Sequence, residues 1–119
     1  MERIMSLLQE ARAIINESLN LLIRKDTKEL DKRIWEAHFK LEYSIGLLKM
    51  RADSLPLWDG KGEKMEMEDA LVSALNSIDK AMDLIGKKKI GDAIKELRKA
   101  RDNLKFLFVD LRKNKRINS

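Results

Sequence analysis

The second apolar segment of the chain, residues 28–53, reads KELDKRIWEAHFKLEYSIGLLKMRAD. One set of its apolar residues recurs every three or four positions, as on one face of an α-helix: Leu30, Ile34, Ala37, Leu41, Ile45 and Leu48. No proline interrupts the segment, and its one glycine is Gly46. We therefore predict a helix from about Lys28 to Asp53 that buries this face in a core.

Three further segments have the same period, from about Glu2 to Arg24, Met65 to Ile85 and Gly91 to Lys113. Five glycines and one proline in 119 residues leave little material for turns, which excludes a many-stranded β protein. A chain of this length is expected to form one domain. The sequence thus predicts an all-α protein with four long helices.

The predicted breaks between helices have recognisable signals. Either Asp26 or Thr27 can cap the second helix, and Asp26, followed three residues later by Glu29, has the spacing of a capping box. Gly86 and the lysines 87–89 suit the end of the third helix, where a glycine closes the turn and cations meet the helix dipole. Pro56 ends the second helix and opens an apolar loop.

The two halves of the chain superimpose without a gap when the sequence is shifted by 63 residues. Matched core positions include Leu8 with Leu71, Ala11 with Ala74, Ile15 with Ile78, Ala37 with Ala100, and Leu41 with Leu104. Two unrelated amphipathic hairpins of equal length would also match at core positions, but agreement across both helices and their turn favours duplication. We predict an antiparallel four-helix bundle of two tandem αα-hairpins. Its single domain spans 1–119, with hairpins 1–54 and 64–119 and a connecting loop 55–63.

A second apolar stripe lies opposite the core face of the second helix: Trp35, Phe39, Tyr43, Leu47 and Met50. A helix on the rim of a bundle needs only one apolar face. Either the bundle buries both faces within one chain, or the stripe is a surface for another helix. We favour the second interpretation, because such residue types are common at interfaces. The expected partner is a second copy, most simply in a homodimer, or a helix of another protein.

The net charge of +5 is concentrated near the C-terminus, since residues 87–119 carry +8. Six cations fall on the outer side of the predicted fourth helix: Lys95, Arg98, Lys99, Lys105, Arg112 and Lys113. Such a surface binds phosphates without reading base sequence. Nucleic-acid binding is therefore an alternative function, and a solvated lysine-rich helix face is the simpler explanation.

The string Arg33-Ile-Trp-Glu-Ala-His38 resembles the Arg-x4-His motif of HEPN-domain ribonucleases, which are also helical bundles. The resemblance covers six residues and implies RNA cleavage by Arg33 and His38 of two subunits facing one cleft. In a regular helix these two residues lie about 140° apart. The alternative role for His38 is a half-buried residue at the edge of the core.

Other kinds of chemistry find little support in the composition. The chain has no cysteine and one histidine, which excludes thiolate or histidine-rich metal sites. It has no P-loop or glycine-rich nucleotide motif, so we expect no metal and no cofactor, and we favour a non-catalytic protein over an enzyme. No signal peptide or membrane span is recognisable, which favours a cytoplasmic location. The abundance of Lys, Arg and Glu is typical of thermophilic proteins.

Overall fold

The computed structural model describes residues 1–52 and 65–118, with the side chains of the last helix as far as Lys113. These residues form four α-helices: α1 (Glu2–Ile23), α2 (Thr27–Lys49), α3 (Met67–Gly86) and α4 (Ile90–Asn118). No strand occurs in the described ranges. The all-α prediction is confirmed, and the predicted connecting loop 55–63 lies outside the described residues.

Two helix ends differ from the predicted ones. α2 ends at Lys49 rather than near Asp53, because the backbone tightens there: the Arg51 amide donates to the Leu48 carbonyl at 2.9 Å, three residues back. α4 continues to Asn118, five residues beyond the predicted Lys113. Apolar periodicity detects neither end, because the last turn of a helix depends on local backbone bonds rather than on core contacts.

The predicted cap of α2 is present. The Asp26 carboxylate accepts a hydrogen bond from the Glu29 amide at 3.3 Å, so one of the unpaired donors of the first turn is satisfied. The end of α3 is different from the prediction. Gly86 is its last helical residue, and the left-handed residue that reverses the chain is Lys88, with φ 62°.

The turn between α1 and α2 has the same construction as the turn between α3 and α4. Lys25, with φ 61°, is the left-handed residue of the first turn, as Lys88 is of the second. In each turn the amide after the left-handed lysine donates to a carbonyl five residues back, from Asp26 to Leu21 at 3.0 Å and from Lys89 to Leu84 at 2.8 Å. Such bonds satisfy carbonyls that a helix end leaves open.

Each helix packs against two others. α1 contacts α2 and α3, and α4 contacts α2 and α3, so α1 stands diagonally from α4 and α2 from α3. The predicted apolar faces meet in the middle, where Leu8, Leu41, Leu71 and Leu104 are completely buried. The described helices therefore form a compact bundle around one apolar core. None of these helices has the length and apolar character needed to cross a membrane.

Candidate interaction surface

The apolar stripe lies on the outer side of α2. Trp35, Phe39, Tyr43 and Met50 are 44%, 58%, 48% and 83% exposed, although all are large apolar or aromatic side chains. Leu47 is partly buried and packs against the core. Within its own chain, the bundle thus covers one face of α2 and leaves four of the five stripe residues open to solvent.

One end of the stripe continues onto α4. The Trp35 ring lies 4.9 Å from the Phe108 ring of α4, and it meets Phe39 edge to face at 5.1 Å. The Arg112 guanidinium lies over the Phe108 ring, 5.0 Å from the ring centre. Phe108 is half-buried, since it fills the edge between α2 and α4.

The middle of the stripe, at Tyr43, lies beside α1. Arg3 of α1 donates a hydrogen bond of 3.0 Å to the Tyr43 hydroxyl, and its guanidinium lies 5.2 Å from the ring centre. The polar tip of Tyr43 is therefore satisfied while its ring remains half exposed. The stripe runs obliquely across α2, from the α4 side at Trp35 to the α1 side at Tyr43.

Gly46 lies within the stripe, three residues after Tyr43 and four before Met50. It is exposed, and a Cβ atom added there would meet no atom of the chain within 4 Å. A glycine inside a helix destabilises it by about 0.5–1 kcal/mol relative to alanine. Nothing in the described part of the chain requires a glycine at this position.

His38 lies beside the stripe and is half-buried. Its ring stacks on Trp35 with 5.2 Å between centroids and 6° between planes. Burial lowers the pKa of His38; the Glu42 carboxylate opposes this, and the nearby cations Arg101 and Lys105 favour it. The buried Nδ1 atom has no hydrogen-bond partner among the described residues. Burial at the edge of the aromatic cluster therefore lowers the pKa of His38 and favours its neutral form.

Arg33 and His38, the pair that resembles the HEPN motif, face different neighbours. The Arg33 guanidinium forms ion pairs with Glu17 of α1 at 3.3 Å and with Glu36 at 3.0 Å. His38 instead faces the charged groups of α4. The structure does not bring the two residues together within one chain, because five residues of helix turn them to opposite sides of α2.

Five of the six predicted cations of α4 are exposed: Lys95, Lys99, Lys105, Arg112 and Lys113. Arg98 is an exception, since it is only 8% exposed. It is the counterpart of Trp35 under the 63-residue shift. The expectation that Arg98 faces solvent is therefore wrong.

Acidic and apolar side chains interrupt this basic surface. Lys99 pairs with Glu96 at 3.4 Å, and Arg101 pairs with Asp102 at 3.1 Å. Phe106 and Val109 are 45% and 41% exposed among the cations. Phe106 and Val109 are therefore two exposed apolar residues on the outer side of α4. The helical period of the sequence already places both of them among the cations.

The chain matches no protein-family model, no curated protein and no solved structure. Within the described ranges, no group of three or more His, Asp or Glu side chains is positioned to hold a metal ion. Any assignment of function therefore comes from the surface of the bundle itself.

Proposed function

We propose that this protein is a non-catalytic helical interaction module that self-associates or binds a partner helix through the aromatic stripe of α2. The observation that carries the proposal is the exposure of Trp35, Phe39, Tyr43 and Met50 in one continuous line. Burying a large apolar side chain contributes about 1.5–3 kcal/mol. Contiguous exposed apolar patches of this kind mark interaction sites.

Contacts within the chain support the proposal by fixing two of the stripe residues in advance. Trp35 is held between His38, Phe39 and Phe108, and Tyr43 is held by Arg3. A side chain that is already ordered loses less conformational entropy when a partner covers it. The stripe therefore has both the apolar area and the preorganisation of a binding surface.

Sedimentation velocity tests the self-associating form of the proposal. We expect the wild type to be a dimer at micromolar concentration, and the double variant Trp35→Glu/Phe39→Glu to be a folded monomer. Val72→Glu is the matched control, because Val72 is 41% exposed on α3 and away from the stripe. A monomeric wild type at high micromolar concentration would refute self-association.

We also propose that the bundle consists of two tandem antiparallel αα-hairpins that arose by duplication. The two turns at Lys25 and Lys88 each have a left-handed lysine and lie 63 positions apart, which supports a common origin. Pairs between α1 and α2 support the antiparallel direction, since Lys40 meets Glu10 at 3.0 Å and the later Glu17 meets the earlier Arg33. In this proposal the halves share a core and differ in their outer faces.

A second candidate function is non-specific nucleic-acid binding by α4. The five exposed cations, with Phe106 exposed among them, favour it. About five phosphate contacts would make log affinity fall with log salt concentration at a slope near −3.5 for single strands. Sequence preference should be slight, because base readout needs side chains shaped to the base edges.

The triple variant Lys95→Glu/Lys99→Glu/Lys105→Glu tests this candidate by fluorescence anisotropy with labelled oligonucleotides. We expect it to abolish binding, and the triple variant Arg24→Glu/Lys28→Glu/Lys32→Glu to retain most of it despite the same change in net charge. A wild type that binds no oligonucleotide at low salt rules the candidate out. The HEPN-like form would further require RNA cleavage that is lost in His38→Ala while binding is kept.

A further inference from the structure

Gly46, the glycine in the stripe, indicates how a partner contacts this surface. Gly46 weakens α2 and has no neighbour in its own chain that would exclude a side chain. Small residues on a helix surface let another backbone approach closely, and a large side chain of a partner can occupy the space left by the missing Cβ. This inference rests on the proposed function and names the partner and its register.

The spacing of the stripe is that of a helix-pairing seam. Phe39, Tyr43, Gly46 and Met50 follow one another at intervals of four, three and four residues. This is the alternation of a and d positions along a heptad repeat, whose side chains insert between those of a facing helix. The four residues cover about three turns, from Phe39 within α2 to its cap residue Met50, which is enough for a short helix–helix crossing.

An antiparallel pairing of two α2 helices matches large residues with small ones. When Tyr43 lies opposite Gly46 of the second copy, the two-fold symmetry repeats the contact, and Phe39 then lies opposite Met50 of that copy. A parallel pairing would instead place glycine against glycine and tyrosine against tyrosine, which leaves a void in one layer and crowds the next.

Charges beside the seam favour the same antiparallel register. Glu42 and Lys49 immediately precede Tyr43 and Met50, so they occupy equivalent flanking positions of successive heptads. In the antiparallel register Glu42 of each copy lies across the seam from Lys49 of the other. Charged residues at such flanking positions set the orientation of paired helices. Lys49 is exposed and forms no ion pair within the described residues, while Glu42 shares its Oε1 atom with Arg101 at 3.1 Å.

We propose that a second copy of this chain docks on the stripe, α2 against α2 in antiparallel orientation, with Tyr43 seated over Gly46 of the other copy. The dimer contains two Tyr43–Gly46 contacts, two Phe39–Met50 contacts and two Glu42–Lys49 ion pairs. Trp35 lies at the outer end of the seam, where it closes the contact toward α4.

Site-directed cross-linking tests the register, because the natural chain has no cysteine. Glu42→Cys and Lys49→Cys are prepared as separate proteins, mixed and gently oxidised. We expect the mixture to form a disulfide-linked dimer at least ten times faster than either variant alone. Disulfide bonds need Cα atoms within about 7 Å, so the pattern of cross-links reports which residues face each other. Equal cross-linking by one variant alone would overturn the register.

Substitution of the glycine gives a second, independent measurement. Gly46→Ala should weaken dimerisation at least tenfold, or about 1.4 kcal/mol. Gly91→Ala is the matched control, since a Cβ there also meets nothing within 4 Å but the position lies on α4. Circular dichroism should show that both variants are folded. Unchanged dimerisation of Gly46→Ala would overturn the proposed contact.

The two measurements separate this inference from the proposed function. A wild-type dimer that Trp35→Glu/Phe39→Glu dissociates, without preferential cross-linking of the mixture, refutes the register and leaves the interaction surface in place. A monomeric wild type refutes both the dimer and the self-associating form of the proposed function. A monomer that binds a helix of another protein through the stripe refutes the second copy as partner.

Discussion

Lys25 and Lys88 have left-handed backbone conformations, with φ 61° and 62°, although each carries a side chain. For a residue with a Cβ atom this conformation costs roughly 1–2 kcal/mol, and glycine adopts it without that strain. The hydrogen bonds from Asp26 to Leu21 and from Lys89 to Leu84 close both turns and hold the lysines in place. Each turn therefore stores a small amount of strain.

Replacing either lysine by glycine should relieve that strain. We expect Lys25→Gly and Lys88→Gly each to raise the free energy of unfolding by about 0.5–1 kcal/mol, measured by urea denaturation. Lys32→Gly serves as the control, because Lys32 is exposed inside α2, where glycine should lower the same quantity by about 0.8–1 kcal/mol. A loss of stability in both turn variants would show that the side chains contribute more than the backbone strain costs.

His38 makes the stability of the fold depend on pH. Burial lowers its pKa in the folded state, so the unfolded chain takes up a proton more readily. Stability from this group is fully present above the unfolded pKa of about 6.5 and is lost as pH falls from there toward the folded pKa. We expect wild type to lose stability between pH 7.5 and 5.5, and His38→Gln to lose less over the same range. Identical pH profiles of urea denaturation would contradict this.

At the scale of a single element, α2 has two apolar faces with different roles. Its inner face, which includes the completely buried Leu30, Leu41 and Leu48, holds the helix in the core. Its outer face carries the stripe, of which Trp35 also touches α4 and Met50 touches little, being 83% exposed. The stripe residues should therefore differ in how much they contribute to folding.

Two alanine variants separate these contributions. Trp35→Ala should lower the free energy of unfolding by about 1–3 kcal/mol, because it removes packing against Phe108 and His38. Met50→Ala should change it by less than about 0.5 kcal/mol, as expected for an exposed site. Denaturation should be measured at a concentration low enough to keep the chains monomeric. An equal effect of the two variants would show that the contacts of Trp35 with Phe108 and His38 contribute little to the free energy of unfolding.

Across the whole molecule, the two halves contribute equivalent residues to one core. Leu41 of α2 and Leu104 of α4 correspond under the 63-residue shift, and both are completely buried. They lie on two helices that pack against each other, and both belong to the buried core. Substitution of each leucine therefore tests whether the two halves contribute equally to the free energy of unfolding.

We expect Leu41→Ala and Leu104→Ala each to lower the free energy of unfolding by about 2–5 kcal/mol, and to agree within about 1 kcal/mol. Thermal or urea denaturation measures both, with Val72→Ala as an exposed control. A large difference between the two leucines would show that one half of the bundle dominates stability. Such a result would weaken the duplication proposal without affecting the all-α fold.

The sequence by itself determined the four helices, the apolar face of each helix and a cap of α2 at Asp26 or Thr27. These features follow from local rules: a period of 3.6 residues selects one face of a helix, and a carboxylate next to free amides caps its first turn. The stripe residues of α2 were found in the same way, since their spacing places them on one side of a helix.

Only the tertiary structure decided which of these residues remain exposed. The stripe could have been buried within the bundle, and the position of α4 beside Trp35 and α1 beside Tyr43 leaves it open instead. Folding also buries Arg98, which the sequence placed with the solvent-facing cations. Burial of a helix face depends on which neighbour lies against it, and residues distant in sequence supply that neighbour. The helical period fixes the faces of each helix, and the packing of the bundle fixes their exposure.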